Sequence, residues 1–180
     1  MGKTTNSSSK LHYERITQND IRLLYELYSD WSVAQYLNRI PYPFEVKDAV
    51  TIVSEFEEQN KNRRNRNFLI KLEESDQKCG ICVLNEASQR RAVLGFSIHP
   101  KFRNQGIATE AAKHLLQIAE MEGFFEVQAS HINDNLASIK VLEKLGFEIE
   151  AKDVEEESLH SGTRLSTRWM KRLHSNQSPE

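Results

Sequence analysis

The chain has 180 residues, 38% of them hydrophobic and 28% charged, with a formal net charge of −2 at pH 7. That length suits one domain with a sizeable core, and the composition is that of a folded globular protein rather than a disordered chain. The charge balance gives no support to nucleic acid as a main partner. No apolar run approaches the roughly 20 residues of a membrane span, and the N-terminus lacks the apolar segment of a signal peptide, so the expected location is the cytoplasm. Residues 1–10, polar and rich in serine, read as a disordered leader, 11–173 as a single domain, and 174–180 as a frayed tail.

In chain order, a first strand is expected at 11–16. Thr17-x-x-Asp20 is a variant capping box that opens a helix carrying Ile21, Leu24, Leu27 and Tyr28 on one side. A second, short helix is expected at 31–37, ended by Pro41-Tyr42-Pro43. Over 45–60, Val46, Val50, Val53 and Phe56 recur at mixed three- and four-residue spacing, predicting a third helix. Residues 61–67, with Arg63, Arg64 and Arg66, form a basic, polar loop. Three consecutive strands follow at 68–72, 79–84 and 92–98, with turns at 74–77 and 88–91.

Cys79 and Cys82 make a Cys-x-x-Cys inside the second of these strands. Redox versions of that motif start a helix, and zinc versions need a second ligand pair, which is missing here. Residues three apart on a strand point to opposite faces, so these read as two ordinary strand cysteines, and no metal is expected.

From Ser97 the chain runs through Arg103-x-x-Gly106-x-Ala108 into a helix whose stripe is Ala108, Ala112, Leu115 and Ala119 and whose stop is Gly123. A glycine where a strand becomes a helix lets backbone approach a ligand. The free N–H groups and dipole of the first turn then favour an anion, with Arg103 adding a full charge. The plainer reading is a tight turn with a solvated arginine. A strand at 124–129 comes next. A helix follows over Asn133 to Phe147, with capping residues in front and Gly146 behind. Two strands around His160-Ser161-Gly162 complete a mixed α/β sheet flanked by helices.

These pieces resemble the GNAT family of acyl-CoA-dependent N-acyltransferases. Arg103–Ala108 matches its pyrophosphate loop (Arg/Gln-x-x-Gly-x-Gly/Ala), and Asn135-x-x-Ser138 with Glu143-Lys144-x-Gly146-Phe147 matches the segment after it; the likeness runs loosely over 11–173. The resemblance implies a central, mostly antiparallel, twisted sheet with helices on both faces and acetyl-CoA as cofactor. It places the pyrophosphate on the backbone of Arg103, Asn104, Gln105, Gly106, Ile107, Ala108 and Thr109. The pantetheine arm would pair with main-chain groups of Phe96, Ser97 and Ile98, one of whose N–H groups polarises the thioester. Asn135 and Ser138 would face the sulphur. Many members carry a tyrosine proton donor where this chain has Leu142, which makes Ser138 the better catalytic candidate and resembles the branch that acetylates ribosomal-protein N-termini. Asn135 and Ser138 are equally at home as helix caps.

No general base announces itself, but His99 and His131 end strands beside the cradle. The resemblance puts the acceptor under the N-terminal helices and the loop after them, which points to Trp31, Tyr36, Tyr42 and Phe44. Glu148, Glu150, Asp153 and Glu155-Glu156-Glu157 attract a cation or are simply solvated. The leading expectation is an acetyl-CoA-dependent N-acetyltransferase that acts by direct attack of a protein N-terminal α-amine on the thioester. The alternatives are a small-molecule N-acetyltransferase (antibiotic, polyamine or amino acid) and a non-catalytic acyl-CoA-binding domain. Oligomeric state is left open, a homodimer included.

Overall fold

Leu11–Arg15 (β1), Arg66–Leu72 (β2), Lys78–Ser88 (β3), Arg91–Ile98 (β4), Glu126–Ile132 (β5), Glu148–Ser158 (β6) and Gly162–Arg172 (β7) form one sheet in the computed structural model. Their order is β1-β2-β3-β4-β5-β7-β6. Only β4 and β5 run parallel; the other neighbours are antiparallel. The structure describes residues 10–61 and 65–173. The expected leader (apart from Lys10), the tail, and Arg63 and Arg64 lie outside the described residues. Among the described residues no helix is long and apolar enough to cross a membrane.

Alternation along the strands feeds two cores, one on each face of the sheet. Helices Ile21–Ser29 (α1), Trp31–Ala34 (α2) and Val46–Gln59 (α3) cover one face, where Leu24, Leu27 and Val53 meet Leu69 and Ile81. Ile107–Met121 (α4) and Leu136–Lys144 (α5) cover the other, where Ala111, Leu115 and Leu142 meet Leu84, Leu94 and Val127. The expected capping box is present. The Asp20 carboxylate accepts from the Thr17 backbone N–H at 2.9 Å and from its hydroxyl at 3.1 Å, closing a 3₁₀ turn that leads into α1.

α3 lies where the spacing placed it; its inward line runs through Ala49 and Val53, while Val46 is 54% and Val50 40% exposed. Two expectations need correcting. First, the strand expected at 124–129 begins at Glu126 and runs to Ile132; Phe124 is apolar because it is buried in the loop before it. Second, Cys79 and Cys82 do not diverge to opposite cores. The register passes from Lys71↔Lys78 to Ile70↔Gly80, so Cys79 is an extra, bulged residue and joins the same core as Cys82. Both are free thiols, and burial pushes both their pKa values up.

The feature that positions the site is the brevity of the β4–β5 ladder. It pairs Arg91↔Glu126, Ala92↔Val127 and Val93↔Gln128 and then ends. Beyond it β4 stays paired with β3 as far as Ile98↔Gly80, and β5 with β7 as far as Ile132↔Ser166. The two strands therefore part, leaving their facing main-chain edges free. At the joined end Arg91 Nε and Nη2 donate to one Glu126 carboxylate oxygen at 3.0 and 2.7 Å.

The α3 face is checked by urea unfolding. Val53→Ala costs about 2 kcal/mol, the transfer of two methyl groups plus a cavity, whereas Val50→Ser stays within about 0.5 kcal/mol of the parent.

Candidate active site

At the free end of β4 lies a cavity of about 600 Å³ whose walls come from four places: β4, the start of α4, the first turns of α5, and the segment from Ser32 to Leu37. Phe96, Ser97 and Ile98 supply the β4 wall. Their carbonyls and N–H groups on the β5 side have no ladder partner, because β5 has already left.

The second wall is the turn into α4. Asn104 (φ 61°) and Gly106 (φ 79°) both adopt left-handed conformations, which glycine alone enters without strain. A Cβ built at Gly106 meets no heavy atom within 4 Å, so it would project into open space at the cavity's edge. Ile107, Ala108 and Thr109 follow as the first helical turn and line the cavity, with N–H groups that no α-helix satisfies internally. Arg103 and Asn104 line it too; Gln105, expected with them, is exposed and does not. The Arg103 guanidinium donates from Nη2 to the Ser32 carbonyl at 2.9 Å and so ties the loop to α2.

The third wall is the start of α5. The Asn135 side-chain oxygen accepts from the Ser138 backbone N–H at 3.2 Å, so Asn135 is the N-cap. Ser138 lines the cavity, and its hydroxyl has no hydrogen-bond partner among the described residues. Leu142 is 1% exposed and packs in the core beneath α4, leaving that position without a phenol. This arrangement combines an anion-binding helix end, a free strand edge for an extended chain, and an unengaged hydroxyl.

Of the residues expected on the acceptor side, only Tyr36 lines the cavity. Phe44 is a core residue, edge-on to Tyr28 with ring centroids 5.6 Å apart. Trp31 and Tyr42 sit outside the cavity wall as a half-exposed pair, centroids 4.7 Å apart, and His160 from the β6–β7 turn meets Trp31 edge-on at 5.3 Å. His160 had no signal in the sequence, since only the fold brings it to Trp31. His160 Nε2 also donates to the carbonyl of Leu37, a cavity residue, at 3.2 Å.

Neither candidate base reaches the cavity. His131 is 6% exposed and fully engaged: Trp169 Nε1 donates to its Nε2 at 2.8 Å, which leaves its proton on Nδ1 to donate to the Ile132 carbonyl at 2.8 Å. His99 Nδ1 accepts from the Lys101 backbone N–H, and its ring faces a separate shallow cleft beside Arg22, Lys78 and Lys101. The acidic strip is largely partnered. Glu156 accepts from Asn38 at 2.7 Å, Glu157 from Thr163 at 2.6 Å, Asp153 from Asn133 at 2.7 Å, and Glu150 from Gln128. Arg66 pairs with Glu122.

A structural His131 makes a specific forecast. His131→Leu leaves the buried Trp169 N–H unsatisfied and lowers unfolding stability by about 1–3 kcal/mol, while coenzyme A affinity measured by calorimetry stays put.

The profile of the acetyltransferase (GNAT) domain family matches residues 10–148. No curated protein matches the chain in sequence. Among solved structures, the chain is similar to a GNAT-family acetyltransferase from Bacillus anthracis, with 22% identity and a TM-score of 0.77 over 92% of this chain and 96% of that one. It is similar to an acetyltransferase from Salmonella typhimurium that modifies the N-terminal serine of a 50S ribosomal subunit protein (16% identity, TM-score 0.80, 93% and 97% covered). It is also similar to spermidine N-acetyltransferase from Vibrio cholerae (17%, 0.77, 91% and 96%). With the family profile spanning most of the chain, the protein belongs to the GNAT family and is an N-acetyltransferase whose acetyl donor is acetyl-CoA.

Proposed function

We propose that the acceptor is a protein N-terminal α-amine. The observation that carries this reading is that, among the described residues, the cavity wall has no histidine; its titratable side chains are Tyr36, Arg103, Lys140 and the exposed Asp134. A wall without an imidazole to take the proton suits an amine that is already partly neutral. An α-amine with pKa near 8 is about a tenth neutral at pH 7, whereas an alkyl amine near 10.4 is well under a thousandth neutral. Water can take the proton that the α-amine sheds. The exposed Trp31–Tyr42 pair, extended by His160, lies beside the cavity and suits the residues that follow such an N-terminus.

The residues present fit acetyl-CoA. The first-turn amides of α4 and the left-handed Asn104–Gly106 turn would hold the pyrophosphate, and Arg103 would add charge beside it. The free edge of Phe96, Ser97 and Ile98 would pair with the pantetheine amides as a further strand does, and one N–H there would polarise the thioester carbonyl. Ser138, free of other partners, would donate to the departing thiolate at a helix N-terminus that favours the anion. Asn135 would act through its cap, by holding the first turn that carries Ser138.

Thiol release from acetyl-CoA, measured over serine-initiated peptides, spermidine and aminoglycosides, tests the acceptor. The proposal expects kcat/KM for peptides to exceed that for the other amines by about tenfold or more, as the difference in neutral fraction allows. A preference for spermidine or an aminoglycoside would transfer the assignment to small amines, and acetyl-CoA binding without any turnover would make this a binding domain.

Two substitutions test the donor side. Gly106→Val forces a β-branched residue into a left-handed conformation and into the phosphates' space; the rise in melting temperature caused by acetyl-CoA should vanish. Ser138→Ala should lower kcat by about ten- to a thousandfold with the melting temperature unchanged, because Asn135 still caps the helix. A variant less stable by about 0.5–2 kcal/mol yet fully active would leave Ser138 with a capping role alone.

A further inference from the structure

Trp31 is the residue before Ser32, where the wall of the cavity begins. Trp31 and Tyr42 lie against each other yet stay 44% and 43% exposed, and His160 meets Trp31 edge-on. Two large rings left open to water beside a substrate cavity mark a contact surface rather than a core. The surface is held from behind by the β6–β7 tip. His160 Nε2 donates to the Leu37 carbonyl, the Leu159 N–H to the Asn38 carbonyl at 2.9 Å, and Arg164 to the Gln35 carbonyl.

Carboxylates flank these rings. Asp30, one residue before Trp31, accepts from the Ser32 N–H at 2.8 Å. Glu156 and Glu157 lie on the strand that leads into the turn bearing His160, and accept from the Asn38 amide and the Thr163 hydroxyl; exposed Glu155 precedes them. All of these donors are uncharged, so the hydrogen bonds fix the carboxylates without cancelling their charge. The cations nearby are exposed Arg39, Arg164 on the Gln35 carbonyl, and Arg103 on the Ser32 carbonyl, which in the reading above faces the donor's phosphates. Four carboxylates against three guanidiniums leave the surface negative.

We propose that the Trp31–Tyr42 surface binds a lysine or arginine side chain at the second or third residue of the acceptor, and so selects basic N-termini. The inference rests on the reading above that the acceptor is a protein N-terminal α-amine. A cation is attracted to the negative face of a tryptophan or tyrosine ring, and the apolar stem of a long basic side chain packs on the rings while its head reaches the carboxylates. An apolar side chain would use the rings alone, and an acidic one would be repelled. The reach agrees: an extended chain advances about 3.5 Å per residue, so with its amine in the cavity its next two residues pass the wall at Ser32 and meet Trp31.

The test moves a single lysine through positions 2 to 6 of a serine-initiated, otherwise uncharged peptide and reads kcat/KM from thiol release. Lysine at position 2 or 3 should raise kcat/KM by about three- to thirtyfold over alanine, chiefly through KM, and glutamate there should lower it. Lysine at position 5 or 6 should change little. Trp31→Ala should bring the gain to within about twofold of unity, while Trp31→Phe keeps part of it. Glu156→Gln, which leaves an oxygen for Asn38 and removes the charge, should cut the gain by about two- to threefold and weaken its dependence on salt. Coenzyme A binding by calorimetry checks that each variant is folded. A gain equal at every position, a gain that survives Trp31→Ala, or a preference for apolar or acidic residues would overturn the inference and leave the α-amine reading standing. Binding of acetyl-CoA with no peptide acetylated would refute the α-amine reading and this inference with it.

Discussion

The parting of β4 from β5 after three paired residues is the constraint from which the rest of the molecule follows. Backbone N–H and C=O groups away from water need partners, and each of these strands meets that need on one edge only, β4 through β3 and β5 through β7. Between them remains a strip of main chain that water or an extended ligand must satisfy. In the proposed reading, an acyl chain bearing amides would fill such a strip, and the α4 N-terminus at its mouth would take the phosphates. The proposed donor site is thus mostly backbone, a feature that a fold shared with structures of 16–22% identity can keep while side chains change.

Keeping two strands apart requires each to be held firmly by something else. At the joined end, Arg91 and Glu126 make the bidentate pair described above. On the β5 side, Trp169 of β7 donates to His131 across the ladder, a buried bond that holds β5 to β7 where β4 is gone. On the β4 side, the close contact of Gly80 with Ser97 and the His99 N–H, which donates to the Cys79 carbonyl at 2.8 Å, do the corresponding work. The acceptor-side segment is tied down in a similar way: Leu159 N–H donates to the Asn38 carbonyl at 2.9 Å, and Arg164 donates to the Gln35 carbonyl. The β6–β7 tip therefore fixes the loop that carries Tyr36 and Leu37.

Local chemistry made much of this legible in advance. The turn at Arg103–Gly106 announced itself because a left-handed residue before a helix demands glycine, and Thr17 with Asp20 announced a helix start because their groups satisfy the first-turn donors. What stayed hidden depends on partners distant in sequence. His131 reads as a strand end beside the cradle and a candidate base until Trp169, 38 residues on, occupies its Nε2. Cys79 reads as facing away from Cys82 until the bulge against Lys71 and Ile70 turns it. Trp31, Tyr42 and His160 belong to three segments that share no pattern and meet only in the fold.

Backbone amide hydrogen exchange with and without coenzyme A bears most directly on the central claim. If the parted edge and the helix end hold the donor, protection rises at Phe96 and Ile98, whose N–H groups face away from β3, and at Ile107, Ala108 and Thr109. It stays unchanged at Ala92 and Val93, which sit in the closed part of the ladder. Protection that rises elsewhere, or bound coenzyme A that leaves the β4 edge exchanging as before, would contradict the account.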